Sequence, residues 1–229
     1  MASCVRCAAP LPPVLHGLKT IRCTHCSTNQ PALTDQLIAH LDFRTEGTPG
    51  FHTLPQPSYE ADTEAGELIA RMGPGSKSAL YTVLRSHDVF GDVDLSVTLR
   101  VIEGLEGNGV DRPGAYGGLS FRLKDVLCYV VTVTTDGRFS IGAIDQDIHG
   151  TRWDHLVARA PCEALERGLG APNRIRVVAN ADKIRLWLNG TLAASLRDYR
   201  FRQGKLEILV NPRGAPCTLG LSDLVLAEP

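Results

Sequence analysis

Two C-x-x-C pairs lie near the start of the chain, Cys4 with Cys7 and Cys23 with Cys26, separated by fifteen residues. A C-x-x-C turn presents two sulfurs from one tight knuckle. Tetrahedral zinc takes four thiolates or imidazoles, so two knuckles complete one site. The spacing falls within the four-cysteine zinc range. The chemistry predicted is one structural Zn ion held by Cys4, Cys7, Cys23 and Cys26. With four thiolates bound, no position remains to activate water, and the nearby His16 and His25 are surplus ligands. A segment of about 30 residues buries too little surface to fold without such a metal. The competing reading, a redox dithiol, needs a thioredoxin-like context that neither pair has.

Two further groups could do chemistry. Asp145, Asp147 and His149 follow the run RFSIGAI at a strand end, where carboxylates can hold a cation such as Ca or a polar ligand. The plainer reading is a solvated loop. In NRIRVVAN and KIRLWLNG the apolar set Ile175, Val177, Ile184, Leu186 and Leu188 marks a core face, leaving Arg176, Arg185 and Trp187 on the opposite one. An aromatic between guanidinium groups can stack a sugar or a peptide, or can simply be covered by arginine stems. Trp153, in the irregular GTRWDH, reads as structural.

Positioning these residues requires strands. In DVDLSVTLRV the residues Val93, Leu95, Val97, Leu99 and Val101 alternate with polar ones, as in a strand with one buried face. Leu119, Phe121 and Leu123 repeat the pattern, and LCYVVTVTT turns at Asp136-Gly137 into RFSIGAI. NRIRVVAN and KIRLWLNG form a second hairpin, and KLEILV and TLGLSDLVLAE follow. Asn189-Gly190-Thr191 matches a glycosylation acceptor but reads better as the commonest two-residue hairpin turn. About ten strands and no long helical pattern predict a mainly β chain, a jelly-roll β-sandwich of two antiparallel sheets. Two short helices are expected: one in residues 31–41, with Leu37, Ile38 and Leu41 on one face, and one over Pro161–Gly168. Residues 44–66, rich in Pro, Gly, Thr and Glu, suit a linker or a long irregular leading strand. The division predicted is a zinc ribbon over 1–30, a short helix and linker over 31–66, and a sandwich over 67–229.

Composition narrows the function classes. At 229 residues, 43% hydrophobic and 21% charged, the chain can build a sizeable core. Its 24 Lys and Arg against 25 Asp and Glu give no overall field toward nucleic acid or an acidic membrane. Only the ribbon, with Arg6, Lys19 and Arg22, is locally cationic, which keeps nucleic-acid contact as a weaker alternative. The N-terminal residues lack a secretory core and no apolar run is long enough to span a membrane, so a cytoplasmic location and no membrane partner are expected. Seven cysteines in this arrangement do not suggest a disulfide framework.

The cysteine segment resembles the short zinc ribbons of bacterial multidomain proteins, departing from their commonest form in Ala8 and Ser27, where glycine usually follows each knuckle. From Leu68 to Glu228 the segments FGDVDLSVTLRVIEG, GGLSFRLKDVLCYVVTVTTDGRFSIG, APNRIRVVANADKIRLWLNGTLAASL and SDLVLAE, in that order, resemble the concanavalin A-like lectin/glucanase superfamily. That superfamily includes laminin G-like and 3-keto-disaccharide hydrolase-like domains. The resemblance implies a jelly roll that binds sugars, proteins or lipids, with hydrolysis of glycans in some members. The glucanase pattern E-x-D-x-x-E is missing, and the nearest clusters, Asp92-x-Asp94 and Asp145-x-Asp147-x-His149, lack the glutamate pair. The expectation is therefore a non-catalytic module that recognises a glycan or a protein partner, with a hydrolase of a modified disaccharide as the alternative.

Overall fold

The computed structural model describes residues 7, 20–23, 25–27, 29–31, 37–41, 58–62, 66–73, 79–82, 89–107, 114–147, 150–211 and 215–229. Among the described residues there are strands and no helix. In chain order they are β1 (Thr20–Arg22), β2 (Asn29–Pro31), β3 (Leu37–Leu41), β4 (Ser58–Asp62), β5 (Glu67–Met72), β6 (Ala79–Thr82), β7 (Val93–Glu103) and β8 (Tyr116–Lys124). There follow β9 (Leu127–Thr134), β10 (Arg138–Asp147), β11 (Gly150–Pro161), β12 (Asn173–Asn180), β13 (Lys183–Leu188), β14 (Thr191–Arg197), β15 (Lys205–Asn211) and β16 (Cys217–Ala227).

β1 and β2 pair with each other as a small ribbon. The remaining strands form two antiparallel sheets, a six-stranded one in the order β11-β10-β9-β8-β15-β6 and an eight-stranded one in the order β14-β13-β12-β7-β16-β5-β4, with β3 added alongside β16. One apolar core joins the inner faces: Leu95, Val97 and Leu99 of β7 and Ile175 and Val177 of β12 meet Leu119, Phe121, Val131 and Ile141 of the other sheet. The period-two alternation of β7 thus has its direct cause in a sheet buried on one side. The run LCYVVTV has little alternation because Cys128 and Val130 are buried on the outward side of the six-stranded sheet as well, in a second cluster with Leu123 and Leu209. Trp153 packs on that side, filling the space over Gly142, where a Cβ would lie 2.5 Å from the indole Nε1.

Both predicted hairpins form, β9 with β10 and β12 with β13. At Asn189-Gly190 the φ angles are 48° and 83°, the pair of positive values that a two-residue turn of this type requires. The Asn189 amide nitrogen donates to the Ala164 carbonyl at 2.7 Å and to Asn173 Oδ1 at 2.9 Å, so the turn reading replaces the acceptor reading.

The helix expected in residues 31–41 does not form where it is described: Leu37–Leu41 is β3, paired with Leu224–Ala227, while residues 32–36 fall outside the described set. Three apolar residues over five positions suit either period. The edge of β16 left open beyond β5 supplies hydrogen bonds that decide for strand. Ser58–Asp62, in the segment expected as linker or irregular strand, is β4 and pairs with β5. The eight-stranded sheet therefore draws on the chain upstream of residue 67. The helix expected over Pro161–Gly168 is instead the end of β11 and a turn closed by Leu165 N–H donating to the Cys162 carbonyl at 3.1 Å. Asn173 takes the backbone groups a helix would have used, accepting from Glu166 N–H at 2.9 Å and donating to the Glu166 carbonyl at 3.0 Å.

Two polar assemblies tie the sheets together. Arg122, 1% exposed with φ 55°, donates to the carbonyls of Gly91 (2.9 Å), Ala181 (2.8 Å) and Phe201 (3.1 Å) and to Asp92 (3.1 Å). Tyr129 OH donates to Asp198 at 2.5 Å, and Arg200 bridges Asp198 (2.6 Å) to Asp154 (2.7 Å).

Candidate functional site

Strands β13, β12, β7 and β16 are consecutive neighbours in the eight-stranded sheet. Their registers set Trp187 opposite Arg176, Arg176 opposite Ser96 and Ser96 opposite Val225, a single row across four strands on the face turned away from the core. The next row is Arg185, Val178, Asp94 and Ala227. Between them lies an open cleft of about 440 Å³, lined chiefly by Trp187, Arg174, Arg176, Asp94, Ser96 and Val225.

The cleft combines one apolar ring with an array of charge. Trp187 is half-buried, with the guanidinium carbons of Arg176 and Arg185 at 5.3 and 5.5 Å from its ring centre. These are cation–π distances, and they fix the ring's orientation. Arg176 donates through Nε to Asp94 Oδ1 at 2.8 Å and through Nη2 to Oδ2 at 2.5 Å, a bidentate fork. Those bonds raise the Arg176 pKa, outweighing partial burial. Arg174 donates from Nη2 to the Ser96 hydroxyl at 3.1 Å, and its backbone N–H donates to Asn189 Oδ1 at 2.7 Å. The hairpin turn is thereby locked beside the cleft. The predicted grouping of Arg176, Arg185 and Trp187 on one face is what the structure brings together. Asp94, Ser96, Arg174 and Val225 join them from strands the hairpin pattern does not reveal. The alternation of DVDLSV puts Asp94 and Ser96 on the polar side of a strand, but nothing local says which hairpin that strand lies beside.

The cysteines form a separate constellation. Cys7, Cys23 and Cys26 have sulfurs within 4.8 Å of one another, with Cys7 to Cys23 at 3.7 Å, while Cys4 lies outside the described residues. Cys23 and Cys26 sit in the loop joining β1 to β2, tightened by Ser27 N–H donating to the Cys23 carbonyl at 2.9 Å, with Ser27 at φ 57°. A disulfide would need sulfurs about 2.0 Å apart. A tetrahedron of sulfurs around zinc at about 2.3 Å has edges of about 3.8 Å, close to the 3.7 Å between the Cys7 and Cys23 sulfurs. The three described thiols fit a zinc ion, with Cys4 as the sequence's candidate for the fourth position.

Asp145 is half-buried near the end of β10, where it pairs in register with Arg152 of β11; the side chain of Asp147 and all of His149 fall outside the described residues. The cation site suggested for these three is therefore not assembled from described atoms. Trp153, expected to be structural, donates from its indole to His155 Nδ1 at 3.1 Å. A second cleft, about 420 Å³, lies at the β9–β10 turn among Glu106, Thr135, Asp136, Arg138 and Arg167. Of its two carboxylates, Glu106 and Asp136, the second is engaged by Arg138 at 3.5 Å and Arg159 at 3.4 Å.

No protein-family profile matches the sequence. No curated protein matches it either. Solved structures do match in shape. A carbohydrate-binding module, CBM66 from Bacillus subtilis, superposes with a TM-score of 0.55 at 15% identity over 78% of this chain and 96% of that one. The Bacillus licheniformis β-glucanase gives a TM-score of 0.52 at 8% identity over 82% of this chain and 96% of that one. The Crh5 transglycosylase gives 0.54 at 11% identity over 86% and 85%. Identities this low speak for the fold alone, and that fold is a β-sandwich of two antiparallel sheets.

Proposed function

We propose that this protein is a non-catalytic glycan-binding module whose ligand lies in the Trp187 cleft, carried beside a zinc-stabilised ribbon. The observation that carries the reading is the row Trp187–Arg176–Ser96–Val225, which sets an aromatic face, a fixed guanidinium and a hydroxyl along one open groove of about 440 Å³. Sugars are recognised by that pairing of an apolar ring face for stacking with directional polar groups for the hydroxyls. Carbohydrate-active and carbohydrate-binding proteins with the same sandwich support it. The donor set of the cleft supports the non-catalytic part of the reading. A retaining glycosidase needs two carboxyl groups about 5–5.5 Å apart, whereas the cleft lining contains one, Asp94, already held by both arms of Arg176. The ribbon's metal, when bound, supplies a cross-link and no chemistry, since thiolates from Cys4, Cys7, Cys23 and Cys26 leave no open position.

The test is a panel of polysaccharides read by affinity electrophoresis and calorimetry, with reducing ends measured in parallel. Binding by the wild-type chain is expected, with a loss of about tenfold or more in the Trp187→Ala variant and an unchanged melting temperature, because Trp187 is outside the apolar core. Silence across the panel would remove the glycan reading. Release of reducing ends would make the protein an enzyme and remove the non-catalytic one.

A further inference from the structure

The charges around Trp187 do not balance. Three guanidinium groups, those of Arg174, Arg176 and Arg185, stand near one carboxylate, Asp94, and Arg176 uses both carboxylate oxygens. Around the Trp187 ring these groups leave a local excess of positive charge on a chain whose net charge is −1. Among the described residues, neither Arg174 nor Arg185 forms an ion pair: Arg174 donates to a neutral hydroxyl, and Arg185 stands over the Trp187 ring. Both are exposed. Elsewhere on this face arginines are matched, as Arg100 is by Glu67 at 2.5 Å and Arg197 by Asp182 at 2.7 Å. Unmatched like charges on adjacent strands repel, so their clustering around an aromatic ring is a cost that an anionic ligand would relieve.

Resting on the glycan reading above, we infer that the ligand is an acidic saccharide, an oligomer of uronate sugars whose carboxylates are taken by Arg174 and Arg185 while a sugar ring stacks on Trp187. The cleft contains its own precedent, because the Arg176 fork on Asp94 is the planar bidentate geometry a uronate carboxylate would adopt. The spacing favours an oligomer over a single sugar. Arg185 lies two residues to one side of Trp187 on β13, and Arg174 lies two residues to the other side of Arg176, the register partner of Trp187, on β12. The two backbone positions are thus four residues apart along the strands. Their guanidinium groups end over different strands, Arg185 above the Trp187 ring of β13 and Arg174 beside Ser96 of β7, two strands away, roughly 10 Å at about 4.8 Å per strand, further than one sugar carboxylate can bridge.

The experiment compares oligogalacturonate with its methyl ester, which keeps the sugar backbone and removes the charge, against the full-length protein by calorimetry, with a single-stranded DNA oligonucleotide of equal charge as a third probe. The acid is expected to bind at least about tenfold more tightly than the ester. That preference should vanish in the Arg174→Gln/Arg185→Gln double variant, and should collapse at about 1 M salt, where screening acts over about 3 Å. Both residues are exposed, so a circular dichroism spectrum and melting temperature matching wild type are the fold control. Equal binding of acid and ester overturns this inference and leaves the glycan reading intact. Binding of the DNA as tightly as the acid overturns it too, because charge alone would then suffice. No binding of either saccharide also overturns it, and the neutral members of the panel then decide whether the glycan reading falls with it.

Discussion

Arg122 is the clearest case of one side chain holding several parts of the molecule. Its guanidinium lies at 1% exposure and satisfies carbonyls from three separate segments, at Gly91, Ala181 and Phe201, while Asp92 stands half-exposed at 48%. Burial lowers its pKa and the Asp92 charge partly restores it, which is the signature of a cation placed for structure. Replacing Arg122 with Met keeps the volume but leaves three carbonyls and Asp92 without this donor, and a loss of about 3 kcal/mol in unfolding free energy is expected from urea titration. A loss below about 1 kcal/mol would mean that water reaches those carbonyls. The sandwich cysteines are the opposite case. Burial pushes the thiol of Cys128 up to about 12 and that of Cys217 to about 11, so both are packing groups with little thiolate at neutral pH. The cysteines that cluster are those of the ribbon.

At the scale of elements, what was legible depended on whether the information was local. The β12–β13 hairpin and its outward face could be read because two alternating runs meet at a two-residue turn, Ala181-Asp182, and a turn that short fixes the register, which places Trp187 beside Arg176. β3 could not be read. Its five residues become strand only through a partner more than 180 positions away, Leu41 against Leu224. A shorter but still non-local separation, 82 positions between Asp94 and Arg176, hid half of the cleft, since Asp94 and Ser96 come from strand β7. Pro161–Gly168 misled for a related reason, as the side chain of Asn173 captures Glu166. The β1–β2 ribbon is the element whose stability must come from outside the apolar cores. Mass spectrometry under native conditions, on protein prepared without chelator, is expected to find one equivalent of zinc, lost in Cys26→Ser, with chelation leaving the main thermal transition of the sandwich in place. A metal-free chain with three reactive thiols would remove the ribbon reading.

At the scale of the whole molecule the two sheets are joined at one edge by the chain Tyr129–Asp198–Arg200–Asp154. Burial opposes the charge on Asp198, but the hydrogen bonds from Arg200 and Tyr129 outweigh it and hold its carboxyl below the ordinary range. Burial, aided by Asp198, pushes the Tyr129 hydroxyl up to about 12. As pH falls, the unfolded chain takes up a proton at an ordinary carboxylate value, about 3.9, before the folded chain does. The stabilisation from Asp198 is therefore complete above that value and is lost on further acidification. On the alkaline side, the unfolded tyrosine ionises near pH 10 while the folded one stays neutral, so the Tyr129 contribution fades from about pH 10 to 12. Urea midpoints from pH 3 to 11 should form a plateau with two shoulders, the acid one flattened in Asp198→Asn and the alkaline one in Tyr129→Phe; unchanged shoulders would assign them to other groups.

The central place of β16 has a consequence for synthesis. This last strand in the sequence lies between β7 and β5 and also carries β3. On a ribosome β3, β5 and β7 emerge well before the strand that must separate and bind them, so until β16 follows the larger sheet has a vacant middle. The nascent chain meets the cell with open strand edges facing each other, and the larger sheet closes only when β16 clears the exit tunnel.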